Sequence, residues 1–220
     1  MSLEVQNKFY LDTVDSTNEE AKRLIDSGKI TNTSYIVANE QTSGKGTRGR
    51  IWISSKGAGI YLSVVQIIAR SISDEATSLG VASPSARNEF TKSAGIACVE
   101  AIKEICNINT QLKPLNDIYI EGKKLGGILV ETRLKENKLS ALITGIGINT
   151  HKAKREINDL TVKPISLEEI MPNDSFSNFS KERLIEAVVT KVLFWHKYVF
   201  NNNSNLVEEK WKSSLYSCNL

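Results

Sequence analysis

SYIVANEQTSGKGTRGRIW, residues 34–52, holds a strand pattern and a glycine-rich loop back to back. Its first part, SYIVANE (34–40), has the apolar composition of a buried strand. Residues 44–50 then carry three glycines and three cations, and the run closes on Trp52. Glycines after a strand let the backbone approach a ligand closely and expose consecutive N–H groups. Lys45, Arg48 and Arg50 make that ligand an anion: phosphate, carboxylate or both. A P-loop is excluded, because it needs Gly-x-x-x-x-Gly-Lys-Ser/Thr, whereas position 39 is Asn and Lys45 is followed by Gly46. A solvated basic loop is the plain alternative. Trp52 argues against it, since a large ring just past a polar loop packs against something.

The flanking sequence reads as strands with helices on at least one face. KFYLDTV (8–14) is a strand, and Ser16-Thr17-Asn18-Glu19 matches the S-x-x-E capping box of a short helix that Gly28 stops. GIYLSVVQII (59–68) is a strongly apolar strand. Residues 70–90 are polar and small and read as a surface loop, and 93–106 has helical apolar spacing. From 111 a meander follows: QLKPL, DIYI, the turn Glu121-Gly122, KLGGILVETRL, the turn 135–137, then KLSALITGIGINT. A polar segment covers 151–179, residues 181–200 form an amphipathic helix, Asn201–Asn203 a turn, and NLVEEKWKSSL another helix. The class is α/β (α+β), and 220 residues are read as one domain spanning 1–220.

Composition narrows the function. A net charge of +3 does not suggest a nucleic-acid protein and suits a modestly acidic partner. The N-terminus MSLEVQNK has no apolar signal region, and no run approaches 18 apolar residues, so a cytoplasmic protein without a membrane span is expected. Cys98, Cys106 and Cys218 form no CxxC pair, and only His151 and His196 accompany them, which argues against structural zinc and for buried inert thiols. Three elements add to the loop as candidate site. Asn116-Asp117 opens a strand, Lys124 precedes the Gly126-Gly127 pair, and Gly145, Gly147 and Asn149 end another strand. Each alone has a structural reading: a turn, a bulge, and strand packing.

Taken in order, S-T-N, Q-x-x-G-K-G-x-R-G-R-x-W, K-x-x-N-D, K-L-G-G-I-L-V-E and G-I-G-I-N, the chain resembles the biotin–protein ligases from about Lys8 to Asn149. The resemblance implies a central mixed sheet flanked by helices, related to class II aminoacyl-tRNA synthetases and lipoate ligases. It implies that biotin and Mg-ATP form biotinyl-5′-adenylate, and that biotin then passes to a lysine of an apo biotin carboxyl carrier domain. By resemblance, Ser16, Thr17, Asn18 and Gln41 bind biotin, with Gly44, Lys45, Gly46, Thr47 and Gly127 along its acyl-phosphate side. Lys124 and Arg48 neutralise the reacting anions, and Asp117 orients or deprotonates the incoming lysine. Arg50, Trp52, Asn116 and Asn149 belong to the nucleotide side. ATP, biotin and Mg²⁺ are the implied small molecules, DNA is not a partner, and monomer and homodimer both stay open.

The chain departs from the family at several points. The lysine-tryptophan-proline-asparagine-aspartate motif stands here as Lys113-Pro114-Leu115-Asn116-Asp117. Thr47 stands where the family has arginine, and Lys45 replaces another, keeping charge but losing the bidentate fork. With fifteen residues before Ser16, the helix-turn-helix of longer relatives is not expected. Ending at Leu220 leads us to expect no C-terminal SH3-like barrel. Two rival functions follow: a lipoate or octanoate ligase, which would not need the Ser16-Thr17-Asn18/Gln41 set, and a non-catalytic biotin- or adenylate-binding relative.

Overall fold

The computed structural model describes residues 4–68, 84–114, 116–135, 138–153 and 163–216. Seven strands form one sheet: β1 (Asn7–Val14), β2 (Ser34–Gln41), β3 (Gly59–Ile67), β4 (Gln111–Lys113), β5 (Asp117–Ile120), β6 (Lys123–Lys135) and β7 (Lys138–Asn149). Their order is β1-β2-β3-β7-β6-β5-β4, parallel between β1 and β2 and antiparallel elsewhere, which is the expected mixed sheet. Glu121 (φ 51°) and Gly122 (φ 72°) both take left-handed backbone and close β5 onto β6 in two residues.

Alternation along the strands separates two cores. Ile60, Leu62 and Val64 of β3, Ile128 and Val130 of β6, and Ile146 and Ile148 of β7 face the larger one. It is closed by α2 (Pro84–Cys106), α5 (Lys181–Phe200) and α6 (Ser204–Ser213). Leu184, Val188, Val192, Trp195 and Val199 repeat at helical spacing and form the buried stripe of α5. Ser180 caps this helix by accepting from Arg183 N at 3.2 Å. On the opposite face, Ala21 and Leu24 of α1 (Thr17–Asp26) pack on Ile36, Val65 and Ile143. Gly28, at φ 72°, ends α1 as expected.

Residues 84–90 are helix, not loop. Pro84 occupies the first helical position, where its missing N–H costs nothing. Fully buried Phe90 anchors the added turns against His196 (5.1 Å) and Phe200 (4.8 Å). The small residues before Phe90 concealed the period. The rest of the loop expected at 70–90, residues 136–137 of the expected turn, Leu115 and Cys218 lie outside the described residues. The polar segment 151–179 carries two short helices, α3 (Leu167–Ile170) and α4 (Asn173–Ser177). Cys98 and Cys106 are buried free thiols, and burial pushes them up to about 12 and about 11. Among the described residues no helix is long and apolar enough to cross a membrane.

Candidate active site

The strand sequences build the floor of the site. In G-I-G-I-N the isoleucines alternate into the core, which turns Gly145 and Gly147 to the α1 face. Register sets Gly147 directly opposite Gly127 of β6, and Gly145 between Leu129 of β6 and Ser63 of β3. That face of the sheet is therefore backbone alone at several adjoining positions, and a cavity of about 170 Å³ opens over it. Trp52 and Asn18 stand on the glycines. A β-carbon on Gly147 would lie 2.5 Å from Trp52 Cε2, and one on Gly145 would lie 2.6 Å from Asn18 Oδ1. All the site residues named from the sequence line this cavity except Gly44, Arg48 and Gly126.

One end is a network of neutral polar groups. Thr17 N donates to Gln41 Oε1 at 2.8 Å, Thr17 Oγ1 lies 3.1 Å from the same oxygen, and Gln41 Nε2 donates to Ser54 Oγ at 2.8 Å. Ser63 Oγ lies 2.8 Å from Thr17 Oγ1 and 2.6 Å from Asn18 Oδ1. Asn18 Nδ2 donates to Glu131 Oε2 at 2.8 Å. The capping box is not formed: Ser16 occupies the N-cap position, but its side chain makes no hydrogen bond to the helix and its residue lines the cavity. Its turn is braced instead by Asp15, which accepts from Ser16 N at 2.7 Å and holds Arg23 at 2.6 and 3.0 Å. The Arg23 guanidinium keeps the Asp15 carboxyl down at about 2.

The other end is charged. Lys124 Nζ sits 2.6 Å from Asp117 Oδ1, a close ion pair without aligned hydrogen-bond geometry, with the side chains 21% and 16% exposed. The same ammonium lies 5.4 Å from the centre of the Trp52 ring, whose buried Nε1 has no hydrogen-bond partner among the described residues. Despite the altered motif, Lys113 pairs with Asp117 across β4 and β5. Asn116 Nδ2 donates to Ile128 O at 3.1 Å, tying the start of β5 to β6. Asn149 Nδ2 reaches Lys124 O at 3.3 Å and Ile165 O at 3.0 Å, so it staples β6 to the following segment while still lining the cavity.

The glycine-rich segment forms a small closed hairpin over the mouth. Trp52 N donates to Gly44 O at 2.8 Å, Gly46 N donates to Arg50 O at 2.7 Å, and a 3₁₀ turn at Thr47–Gly49 makes the tip. Gly44 is buried behind it, where a β-carbon would meet Trp52 O at 2.3 Å. Arg48 sits exposed at the tip in left-handed backbone (φ 58°) and does not line the cavity. Arg50 lines it and donates to Thr47 Oγ1 at 3.1 Å. Lys45 is held by Glu19 Oε1 at 2.6 Å, and Glu19 also takes Lys22 at 2.9 Å. The hydrogen bonds from Lys45 and Lys22 hold the Glu19 carboxyl below its ordinary value. For Lys22, burial works against the charge, but the Glu131 and Glu19 carboxylates outweigh it and raise its pKa.

Ser54, Ser63, Glu19, Lys22 and Glu131 also belong to this site. Ser54, Ser63 and Lys22 carry no motif signal, and Glu19 and Glu131 end the S-x-x-E and K-L-G-G-I-L-V-E motifs, which by themselves assign them no place in a site. Ile51 and Ile53, 80% and 42% exposed, line the mouth as an apolar lip.

Comparison with known proteins agrees with this geometry. Residues 10–149 match the model of the Biotin/lipoate A/B protein ligase family. The chain is 33% identical over 154 residues to the bifunctional ligase/repressor BirA of Bacillus subtilis, covering 70% of this chain and 43% of that protein. It is 25% identical to the biotin–[acetyl-CoA-carboxylase] ligase of Mycobacterium tuberculosis over 184 residues, 82% of this chain and 62% of the relative. The biotin protein ligase of Aquifex aeolicus, solved in complex with biotin and ATP, superposes with a TM-score of 0.73 at 26% identity. That match covers 96% of this chain and 78% of the solved one. The chain spans less than half the length of the BirA proteins it matches. With the family's fold, and with its motifs gathered round one glycine-floored cleft, the chain belongs to the Biotin/lipoate A/B protein ligase family.

Proposed function

We propose that the protein is a biotin–protein ligase, joining biotin to ATP as biotinyl-5′-adenylate and passing the biotinyl group to one lysine of an apo biotin carboxyl carrier domain. The observation that carries this reading is the pairing, in one cleft, of a neutral donor–acceptor network with a cationic end. Thr17, Asn18 and Gln41 suit a cyclic urea, and Lys124, Arg50 and Lys45 suit a carboxylate beside a phosphate. A lipoate ligase would have no use for the polar end.

In the first step the biotin carboxylate attacks the α-phosphorus of ATP, a P–O bond forms, and pyrophosphate leaves. Two anions must meet, so catalysis is positioning plus charge neutralisation. Lys124 does this at the floor and Arg50 at the hairpin, with Trp52 as the apolar wall between. Asp117 is the carboxylate that lines the cleft among the described residues, so Mg²⁺ enters as Mg-ATP. In the second step the carrier lysine amine attacks the acyl carbon, AMP leaves, and Asp117 orients the amine and takes its proton. The acceptor, the cytoplasmic location and the extent of the functional unit as residues 1–220 belong to the same proposal.

Biotin-dependent release of pyrophosphate from Mg-ATP tests it. Release that needs biotin, and is not supported by lipoate or octanoate, is the expected result. One observation favours a second reading, a binding protein that does not adenylate: Arg48 stands outside the cleft. Tight biotin binding without pyrophosphate release would establish that reading instead.

A further inference from the structure

Glu131 has no part in the chemistry above, yet it closes the polar network from the same face of the sheet as the glycine floor. We propose that Glu131 is a positioning residue that fixes the side-chain amide of Asn18, and through it the hydrogen-bond polarity of the end of the cleft that reads the ligand ring. The inference rests on the biotin reading for the identity of that ligand.

The argument is one of counting hydrogens. Glu131 lies on β6 on the same face as Gly127 and Leu129, and its carboxylate can only accept. Oε2 takes Asn18 Nδ2 at 2.8 Å and Oε1 takes Lys22 Nζ at 2.7 Å. The nitrogen of the Asn18 amide is thereby directed at Glu131, helped by Leu129 O at 3.4 Å, and its oxygen is left facing Ser63. Ser63 has one hydroxyl hydrogen and two neighbours, Asn18 Oδ1 at 2.6 Å and Thr17 Oγ1 at 2.8 Å. Asn18 Oδ1 has no hydrogen to give, so Ser63 donates there, and the Thr17 hydroxyl gives its own hydrogen to Gln41 Oε1 at 3.1 Å. Thr17 is left with a lone pair, not a hydrogen, for the cleft. An acceptor at that place fits the N–H of a cyclic urea. Gln41 is oriented independently, because Thr17 N binds its Oε1 at 2.8 Å.

Lys22 makes the role specific to a carboxylate. An amide at position 131 would turn its oxygen to the Lys22 ammonium and its nitrogen to Asn18. Asn18 would then flip and Ser63 would donate to Thr17, taking up a Thr17 lone pair that the native network leaves for the cleft.

The test compares the native chain with Glu131→Gln, and with the double variant Lys22→Met/Glu131→Gln, which removes the cause of the flip. The ligand-free readout is the Asn18 side-chain NH₂ pair in an amide NMR spectrum, identified by its loss in Asn18→Asp. The binding readout is calorimetric titration with biotin and, separately, with ATP. Glu131→Gln is expected to shift the Asn18 pair and weaken biotin about ten- to a hundredfold with ATP affinity unchanged, and the double variant to recover most of the loss. Should Glu131→Gln fail to fold, Glu131→Asp keeps the carboxylate and should keep the Asn18 signal with a smaller loss of biotin affinity. An unmoved Asn18 signal, or equal biotin affinity in native chain and Glu131→Gln, overturns the inference. A native chain whose Asn18 signal responds to Glu131→Gln but which binds no biotin upholds the positioning role and overturns the functional reading instead.

Discussion

Gly147→Ala should empty the site while leaving the sheet standing. The added methyl would lie 2.5 Å from Trp52 Cε2, 2.6 Å from Nε1 and 2.7 Å from Cζ2. Ordinary carbon contacts lie near 3.5–4.0 Å, so the overlap is about 1 Å and something has to move. β7 cannot, being paired with β3 on one side and β6 on the other. Trp52 can, because it leaves the hairpin between exposed Ile51 and Ile53. Displacing a ring from a packed face costs about 1–3 kcal/mol, and shifting a wall of the cleft by about 1 Å costs on the order of 10²-fold in activity. Gly126→Ala makes the contrast. Its methyl would meet Gly147 O at 2.7 Å and Ile118 Cδ1 at 2.9 Å, backbone and core, so stability should suffer more than ligand binding does. The assay is biotin titration followed by Trp52 emission, assigned with Trp52→Phe, beside thermal melting of both variants. If Gly147→Ala binds biotin as the native chain does with unchanged Trp52 emission, the glycine floor is not what makes the cleft.

Three further outcomes are expected. Lys124→Ala should slow adenylate formation about 10²–10³-fold and, by orphaning Asp117, cost about 1–2 kcal/mol of stability; adding Asp117→Asn should restore the melting temperature but not the rate, as measured by calorimetry and pyrophosphate release. A charged hydrogen bond is worth about 1.5–3 kcal/mol, so Thr47, lacking the family's guanidinium, should release adenylate about ten- to a hundredfold faster than Thr47→Arg, and stopped-flow release at equal rates would remove Thr47 as the gate. His196 is fully buried, its Nδ1 lies 2.5 Å from Gln66 Oε1, and burial pushes its pKa down to about 3 from 6.5. The unfolded chain then takes up a proton that the folded chain refuses, so stability should fall as pH drops below 6.5, by about 1.4 kcal/mol per unit, with His151 adding in the same direction. Chemical denaturation at pH 7 and 5 should show that slope reduced in His196→Phe.

Strands were legible because their side chains alternate, and α5 because its apolar stripe repeats unbroken. The first turns of α2 were not, since between Pro84 and Phe90 only small or polar residues mark the period. The site was legible as motifs but not as contacts. Ser16-x-x-Glu19 matches a capping box, yet Glu19 is spent on Lys45 and Lys22, and the Ser16 side chain caps nothing. The sequence suggests no partner for Lys124, whereas β5–β6 pairing brings it to Asp117. Ser63 and Glu131 are single polar residues on strands, and only register, which sets Ser63 opposite Gly145 and Glu131 opposite Ile143, joins them to Asn18. Arg48 shows the reverse. Its motif position is plain, but the left-handed backbone at the hairpin tip holds it on the exposed surface outside the cleft lining.

The most direct test of the account is the intact mass of an apo biotin carboxyl carrier domain after incubation with this chain, biotin and Mg-ATP. The account predicts a gain of one biotinyl group on a single lysine, dependent on ATP and lost with Lys124→Ala. A carrier that keeps its mass while the chain binds biotin would contradict it.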